Sequence, residues 1–236
     1  MVLRSIIFNI FFVLWTIIWG GSGLIAVFFP KKLKTRLSCF VGYIWALVLI
    51  HALRIICRID WHLEDSANIL ATNQPCIIAC KHQSVWETIF FLYYLNSPAY
   101  IIKRELTKVP IYGWHLENMG MIPVNRSRGI EALKLLNSKI DVILEAGRSI
   151  VIFPEGTRVG LTEESQIKSG VVSLYNTFAN RYPIIPISLN SGQYWRHRSW
   201  RKYPGTIKVV VGSPLQHNLK KNEILDKVKE AINLCC

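Results

Sequence analysis

Hydrophobic residues dominate the first quarter of the chain. No residue between Ser5 and Phe29 is charged, and this apolar run is interrupted by a glycine-rich stretch at residues 20–23. The basic connector at residues 31–36 separates it from a second apolar run at residues 37–56. Each run has about the 20 residues that an α-helix needs to cross a bilayer. The pattern therefore predicts two membrane-embedded helices.

We expect the two runs to form a hairpin that dips into one leaflet. If both crossed the bilayer, the basic connector and the basic remainder of the chain would lie on opposite sides, against the positive-inside tendency. The glycine interruption, His51 and Arg54 near the end of the second run, and the absence of Asp or Glu before Asp60 also favour this monotopic interpretation. A second interpretation, in which one run spans and the other is core, is left open by the pattern.

The hydrophobic pattern changes after Arg58, where short apolar runs alternate with amphipathic stretches. The apolar runs predict buried strands at residues 57–63, 76–80, 99–103, 120–124, 149–153, 184–189 and 207–212. The stretches between them predict helices at residues 85–95, 129–147, 168–178 and 221–234, the second ending at Gly147 in a cap position. We therefore expect an α/β fold, a mostly parallel sheet flanked by helices, over residues 59–236, with residues 1–58 as the membrane hairpin.

Composition narrows the range of partners. Hydrophobic residues make up 51% of the 236 residues, and the mean hydropathy of +0.27 is high for a soluble protein, so some apolar surface should meet membrane lipid. The formal net charge of +13 suits a nucleic acid, an anionic membrane surface or anionic substrates, and its sign does not choose among them. The six cysteines show neither CxxC pairs nor a disulfide-rich density, so we expect a reduced protein that faces the cytoplasm, with no metal site and no cofactor.

The stretch "KHQSVWET" carries the first candidate chemistry. His82 and Glu87 lie five residues apart, in a predicted turn between a strand and a helix, where α/β folds expose their functional groups. Residues five apart on one helix would not face each other, but a turn histidine and a glutamate in the first helical turn can converge. The same residues fit a Ser-x-x-Glu capping box that begins at Ser84. The spacing permits a catalytic pair and does not require one.

Three strand ends carry cations beside tight backbone. Lys103 ends one predicted strand and Arg104 follows it, Arg126 ends "GMIPVNR", and Arg158 ends "FPEGTR". An exposed lysine or arginine is usually solvated surface, but three such groups at the ends of strands in one sheet predict a pocket for a phosphate. Arginine is suited to this task because its planar guanidinium can hold two phosphate oxygens at once.

His82 and Glu87, followed in order by "GMIPVNR", "FPEGTR" and "IIPISL", resemble the glycerophospholipid acyltransferase family, and within it the bacterial 1-acylglycerol-3-phosphate acyltransferases. The resemblance covers residues 76–190. It implies that His82 and the acidic residue form a catalytic dyad, that the block with Pro186 lines the acyl-donor side, and that the apolar helices embed in one leaflet. The family's acidic partner is usually Asp, whereas here it is Glu87, one methylene longer. The substrate-binding residues that the resemblance and the strand-end cations imply are Lys103, Arg126, Glu155, Gly156, Thr157, Arg158, Lys168 and Gly170.

The resemblance implies acyl transfer to an alcohol on the cytoplasmic face of the inner membrane. His82 is expected to act as general base with Glu87 orienting it, and transfer is expected to be direct, because Ser84 fits a helix cap and no Gly-x-Ser-x-Gly elbow surrounds it. The implied acceptor is lysophosphatidate, and the donor is acyl-CoA or acyl carrier protein. Glycerol 3-phosphate, another lysophospholipid or a lyso-aminolipid are alternative acceptors.

A different class of function is a non-catalytic binder of membrane or nucleic acid. Residues 193–205, "QYWRHRSWRKYPG", mix aromatic and cationic side chains as single-strand binders do. The same mixture suits a membrane interface, and no nucleic-acid-binding motif accompanies it. We therefore expect membrane lipid, and no nucleic acid, as a partner.

Overall fold

The computed structural model describes residues 1–26, 29–65, 69–70, 74–95, 97–124, 129–161, 163 and 166–235. Within them, seven strands form one sheet in the order first, seventh, sixth, second, fifth, third, fourth. Every neighbouring pair is parallel except the sixth and seventh strands, which are antiparallel. This confirms the predicted mostly parallel sheet. The strands are β1 (Ile59–Glu64), β2 (Ile77–Cys80), β3 (Ala99–Lys103), β4 (Ile122–Val124), β5 (Ile150–Ile152), β6 (Ile184–Leu189) and β7 (Gly205–Val211).

All the predicted helices are present, and the described residues add three further short ones. Those that the sequence pattern did not predict are a 3₁₀ turn at Arg104–Lys108, α4 and α7, each too short to show a 3.6-residue hydrophobic period. Gly147 closes α5 as predicted, with a left-handed φ of +79°. The helices are α1 (Val2–Ala26), α2 (Lys31–Ala52, continued by a π-helical turn at Leu53–Cys57), α3 (Trp86–Tyr94), α4 (Tyr112–Asn118), α5 (Gly129–Glu145), α6 (Gly170–Phe178), α7 (Ser191–Tyr194) and α8 (Lys221–Ile232).

The sheet is buried on both faces, as parallel sheets are. In β2, Ile77 and Ala79 belong to a core formed with α5, α6 and α8. Ile78 and Cys80 point to the opposite face, because side chains alternate along a strand, and belong to a core formed with α1, α2 and α3. Because both faces are covered by apolar cores, polar side chains can gather at the carboxyl ends of the central strands.

The helices α1 and α2 are long and apolar enough to cross a membrane. The segments Val2–Ser22 and Lys31–Cys57 each reach a mean hydropathy of 2.0. The glycine-rich stretch that interrupts the apolar run does not break α1, because the helix continues to residue 26. Gly20 instead allows close packing, since a Cβ atom there would come within 2.9 Å of the Ile111 side chain.

The hairpin packs on the α/β domain and shares one hydrophobic core with it. The Trp19 ring in α1 stacks on the His115 ring in α4 with centroids 3.8 Å apart. The Asn9 side-chain amide donates a hydrogen bond to the carbonyl of Trp200 at 2.9 Å. A division into units 1–58 and 59–236 stays a prediction, and these contacts fix the hairpin beside the edge that carries the candidate site.

Candidate active site

His82 and Glu87 meet in the turn that joins β2 to α3. The Nδ1 atom of His82 lies 2.9 Å from Oε1 of Glu87. The Glu87 side chain is fully buried, and that of His82 is 14% exposed. Since Nδ1 is held by the carboxylate, the other ring nitrogen, Nε2, is left to exchange a proton with a bound molecule. The arrangement is that of a histidine base with an orienting carboxylate.

The Glu87 carboxylate also organises the turn itself. Its Oε1 atom accepts the backbone N–H groups of Gln83 and Ser84, each at 2.7 Å. The Ser84 hydroxyl accepts the N–H of Trp86, the first residue of α3, at 3.1 Å. One of the two bonds of the predicted capping box, from the N–H of Ser84 to Glu87, is therefore present together with the bond to the imidazole. The other is replaced, because the Ser84 hydroxyl binds the N–H of Trp86 and Val85 is the residue that flanks α3. Glu87 stabilises the start of the helix and orients the ring at the same time.

A second carboxylate fixes the backbone of His82. Glu155, which is 2% exposed, accepts the N–H of His82 at 2.6 Å through Oε2. The carbonyl of His82 accepts the N–H of Val159 at 2.8 Å, and its ring stacks on that of Phe153 with centroids 3.9 Å apart. The segment after β5 therefore holds the histidine from both sides. Glu155 thus bonds to the backbone of His82, and its predicted part in substrate binding stays a prediction.

His82 opens onto a cavity of about 440 Å³ that joins a cationic region to an apolar one. Among the predicted binding residues, Lys103, Gly156, Thr157 and Arg158 line it. Gly156 adopts a φ of +72°, which favours glycine, in the turn that presents this segment. The apolar lining comes from the hairpin, α3, α4 and the segment that follows α4, and includes Trp19, Trp45, Leu92, Leu116, Met119 and Met121.

Two further predicted binding residues, Lys168 and Gly170, are described by the structure and are not among the residues that line this cavity. Lys168 is exposed and donates through Nζ to Oε1 of Gln166 at 3.4 Å, while its backbone N–H bonds to Pro154. Gly170 is the first residue of α6 and does not line the cavity. Arg126 lies outside the described residues. Within the part of the chain that the structure describes, no group of three or more His, Cys, Asp or Glu residues could hold a metal ion.

Positive charge gathers at the cavity mouth. Arg158 donates through Nε to the carbonyl of Ser84 at 3.1 Å, and among the described residues its two terminal amino groups make no hydrogen bond, so they can bind a ligand. His197 and Arg198 also line the cavity, although the sequence had indicated only a surface role for their aromatic and basic segment. Burial and then the neighbouring Arg158, Arg198 and His82 lower the pKa of His197 below its ordinary value. The mouth is suited to an anion.

Sequence reasoning also missed Ser191, the first residue of α7. Its fully buried hydroxyl donates to Oε2 of Glu87 at 2.7 Å. The signal available in the sequence was its position two residues after β6, at the edge of the sheet where His82 and Arg158 also lie. Nothing local indicated the partner, which is 104 residues away along the chain.

Known proteins of one family are similar to this chain in sequence. Residues 60–190 match the family model described as Acyltransferase. The chain is 35% identical over 216 residues to a 1-acyl-sn-glycerol-3-phosphate acyltransferase of Pseudomonas aeruginosa, covering 91% of this chain and 81% of that protein. It is 23% identical to a chloroplastic enzyme of the same name from Brassica napus, of which it spans 58%.

A solved structure shares the fold. The crystal structure of the 1-acyl-sn-glycerophosphate acyltransferase PlsC from Thermotoga maritima superposes with a TM-score of 0.74 at 20% identity, and the match covers 98% of this chain and 92% of that one. At 20% identity, this similarity shows only that the two proteins share a fold. It includes the apolar N-terminal helices, because nearly the whole chain is matched.

Proposed function

Because the chain belongs to the acyltransferase family, we propose that it transfers a fatty acyl group from an acyl thioester to the sn-2 hydroxyl of 1-acylglycerol 3-phosphate, giving phosphatidic acid. One observation carries the proposal: the bonded pair His82 and Glu87 opens onto a cavity with cations at one side and apolar side chains at the other. This combination fits a substrate with a phosphate head and an acyl tail.

The chemistry requires a base, and His82 is proposed for this role. Its Nε2 atom takes the proton of the acceptor hydroxyl as the oxygen attacks the thioester carbonyl, and Glu87 stabilises the imidazolium that forms. When the carbon–sulfur bond breaks, the imidazolium returns the proton to the leaving thiolate. These steps balance without an acyl group bound covalently to the enzyme. Ser84 is engaged at the start of α3, so direct transfer accounts for the arrangement without a second nucleophile.

Lys103 and Arg158 are the described cations proposed to hold the acceptor's phosphate, with Gly156 and Thr157 beside them. Arg126 is proposed for the same task on the strength of the sequence resemblance. Lys168 and Gly170 follow Arg158 in the chain, and the resemblance alone supports a role for them. The donor is proposed to be acyl-CoA or acyl carrier protein, either of which supplies a thioester.

Two apolar N-terminal helices indicate membrane association. One side of α1 carries large apolar side chains that are each more than 40% exposed, which is an unusual surface for a protein in water. We propose that this side lies in one leaflet and that the cavity opens toward the cytoplasmic face of the inner membrane, where the acceptor resides. The exposed α1 residues are Val2, Leu3, Ile6, Ile7, Ile10, Val13, Leu14, Ile17 and Ile18.

The proposal is tested by acyl transfer with purified protein in detergent. Lysophosphatidate should be the preferred acceptor over glycerol 3-phosphate, lysophosphatidylcholine and a lyso-aminolipid, with acyl-CoA and acyl carrier protein each tried as donor. His82→Ala should abolish turnover while the melting temperature stays close to that of the unmodified protein. A preference for another acceptor would redirect the function within the family, and a His82→Ala variant that keeps a tenth of the turnover would remove His82 as the base.

A further inference from the structure

The segment after β6 contributes a part of the site that neither the motifs nor the proposed function assigns. Ser191 is 0% exposed, and its Oγ atom donates to Oε2 of Glu87 at 2.7 Å. On the carboxylate's other oxygen, Oε1 accepts His82 Nδ1 and two backbone N–H groups. The serine therefore binds the oxygen that does not face the imidazole.

A fully buried carboxylate needs such donors to remain charged and in one orientation. Burying an ionised carboxylate without hydrogen bonds is strongly unfavourable, and bonds to a charged acceptor are about twice as strong as those between neutral groups. If Oε2 lost its serine donor, the carboxylate plane would be held from one edge only. Rotation about the terminal bond of Glu87 would then move Oε1 away from Nδ1 of His82.

The surrounding bonds show that Ser191 is itself held in place. The side-chain carbonyl of Asn190 accepts the N–H of Lys208 in β7 at 2.8 Å, and the N–H of Gly192 donates to Oε1 of Gln83 at 3.2 Å. A Cβ atom on Gly192 would lie 3.1 Å from both Cβ of Gln83 and the Leu161 side chain. The segment 190–192 thus packs directly on the turn that carries His82.

We propose that Ser191 is a positioning residue of the catalytic pair, acting through Glu87. It fixes the carboxylate so that Oε1 stays aligned with His82 while the proton moves, and it does not touch the substrate. This inference rests on the proposed function, in which His82 and Glu87 perform acyl transfer. The competing explanation is that Ser191 is a buried serine that supports only the fold.

The first test is kinetic. Ser191→Ala should lower kcat by about 10- to 100-fold, the factor expected for one hydrogen bond to a charged group, with KM for lysophosphatidate changed by less than about twofold. Ser97→Ala is the matched control, because Ser97 is equally buried and its hydroxyl bond to the carbonyl of Cys39 is also 2.7 Å long, but it lies outside the catalytic pair. The control should keep kcat within about twofold.

The second test separates positioning from a structural role by a double-mutant cycle. If Ser191 acts through the charge of Glu87, then Ser191→Ala should cost less than about threefold when introduced into Glu87→Gln. Equal losses in both backgrounds, or a kcat loss below threefold in Ser191→Ala alone, would overturn the proposal. Should Ser191→Ala fail to fold, Ser191→Cys keeps the side-chain volume, supplies only a weak donor, and is expected to lose kcat in the same cycle. An inactive unmodified protein would instead refute the proposed function.

Discussion

Replacing Arg158 by alanine tests the phosphate site directly. Its Nε atom is occupied by the carbonyl of Ser84, so the two terminal amino groups are the donors left for a phosphate. A hydrogen bond to a charged group contributes about 1.5 to 3 kcal/mol, and about 1.4 kcal/mol corresponds to a tenfold change in rate. Losing one such bond should therefore lower kcat/KM for lysophosphatidate by about one to two orders of magnitude, and losing both by more.

Arg158→Lys refines the same prediction. Lysine keeps a positive charge in the cavity but offers no planar pair of donors and loses the guanidinium bond to Ser84. We expect an activity between those of the alanine variant and the unmodified protein. Because the phosphate is remote from the reacting hydroxyl, poor positioning should lower kcat as well as raise KM.

The controls are a neutral acceptor and a distant arginine. Steady-state transfer from acyl-CoA should be measured with lysophosphatidate and with monoacylglycerol, which lacks the phosphate. Arg181→Ala, which removes an exposed arginine paired with Asp141 at 2.7 Å, should leave both activities unchanged. Equal losses on both acceptors in Arg158→Ala would show that Arg158 supports the fold or the donor, and its assignment to the phosphate would have to be withdrawn.

Three further predictions concern the base, the cavity charge and the membrane. Glu87→Gln should retain the melting temperature within a few degrees, because an amide oxygen can still accept the capping bonds. It should lower kcat by at least about 100-fold, because the negative charge beside His82 is lost. Normal turnover would show that Glu87 only caps the helix. Burial and the surrounding cations lower the pKa of His197. This pKa should rise when glycerol 3-phosphate binds and adds negative charge, which NMR titration of the ring proton would measure. An unchanged titration would show that the phosphate binds elsewhere. Single cysteines introduced into the connector at residues 31–36 and near the C-terminus should both react with a membrane-impermeant reagent only after the cells are opened. Labelling of the connector in intact cells would instead support two full membrane spans.

Elements with a local signal were predictable from the sequence. Each strand from β1 to β7 is a short apolar run bounded by polar or turn residues, so all seven were found. The contact of His82 with Glu87 could also be anticipated from a local signal. A strand, a tight turn and a helix start restrict the positions that two side chains five residues apart can take. The cavity cations Lys103 and Arg158 followed from their position at strand ends.

Features that depend on long-range packing were not predictable in this way. The contact of Ser191 with Glu87 joins residues 104 apart, and the placement of His197 and Arg198 in the cavity depends on how their segment packs across the sheet. The low helix propensity of the glycines does not end α1, and Gly20 packs closely against Ile111, a contact that the sequence could not show.

The catalytic and capping interpretations of Glu87 are linked by electrostatics. A carboxylate in the first turn of a helix is favoured by the positive end of the helix dipole, and the N–H groups of Gln83 and Ser84 add direct bonds to Oε1. Those same donors offset the cost of burying the charge that the imidazolium of His82 needs as its partner. The extra methylene relative to aspartate does not prevent contact, because Oε1 reaches Nδ1 at 2.9 Å while keeping both backbone bonds. The backbone bonds at the start of this helix are therefore part of what orients Glu87, the carboxylate proposed for catalysis, toward His82.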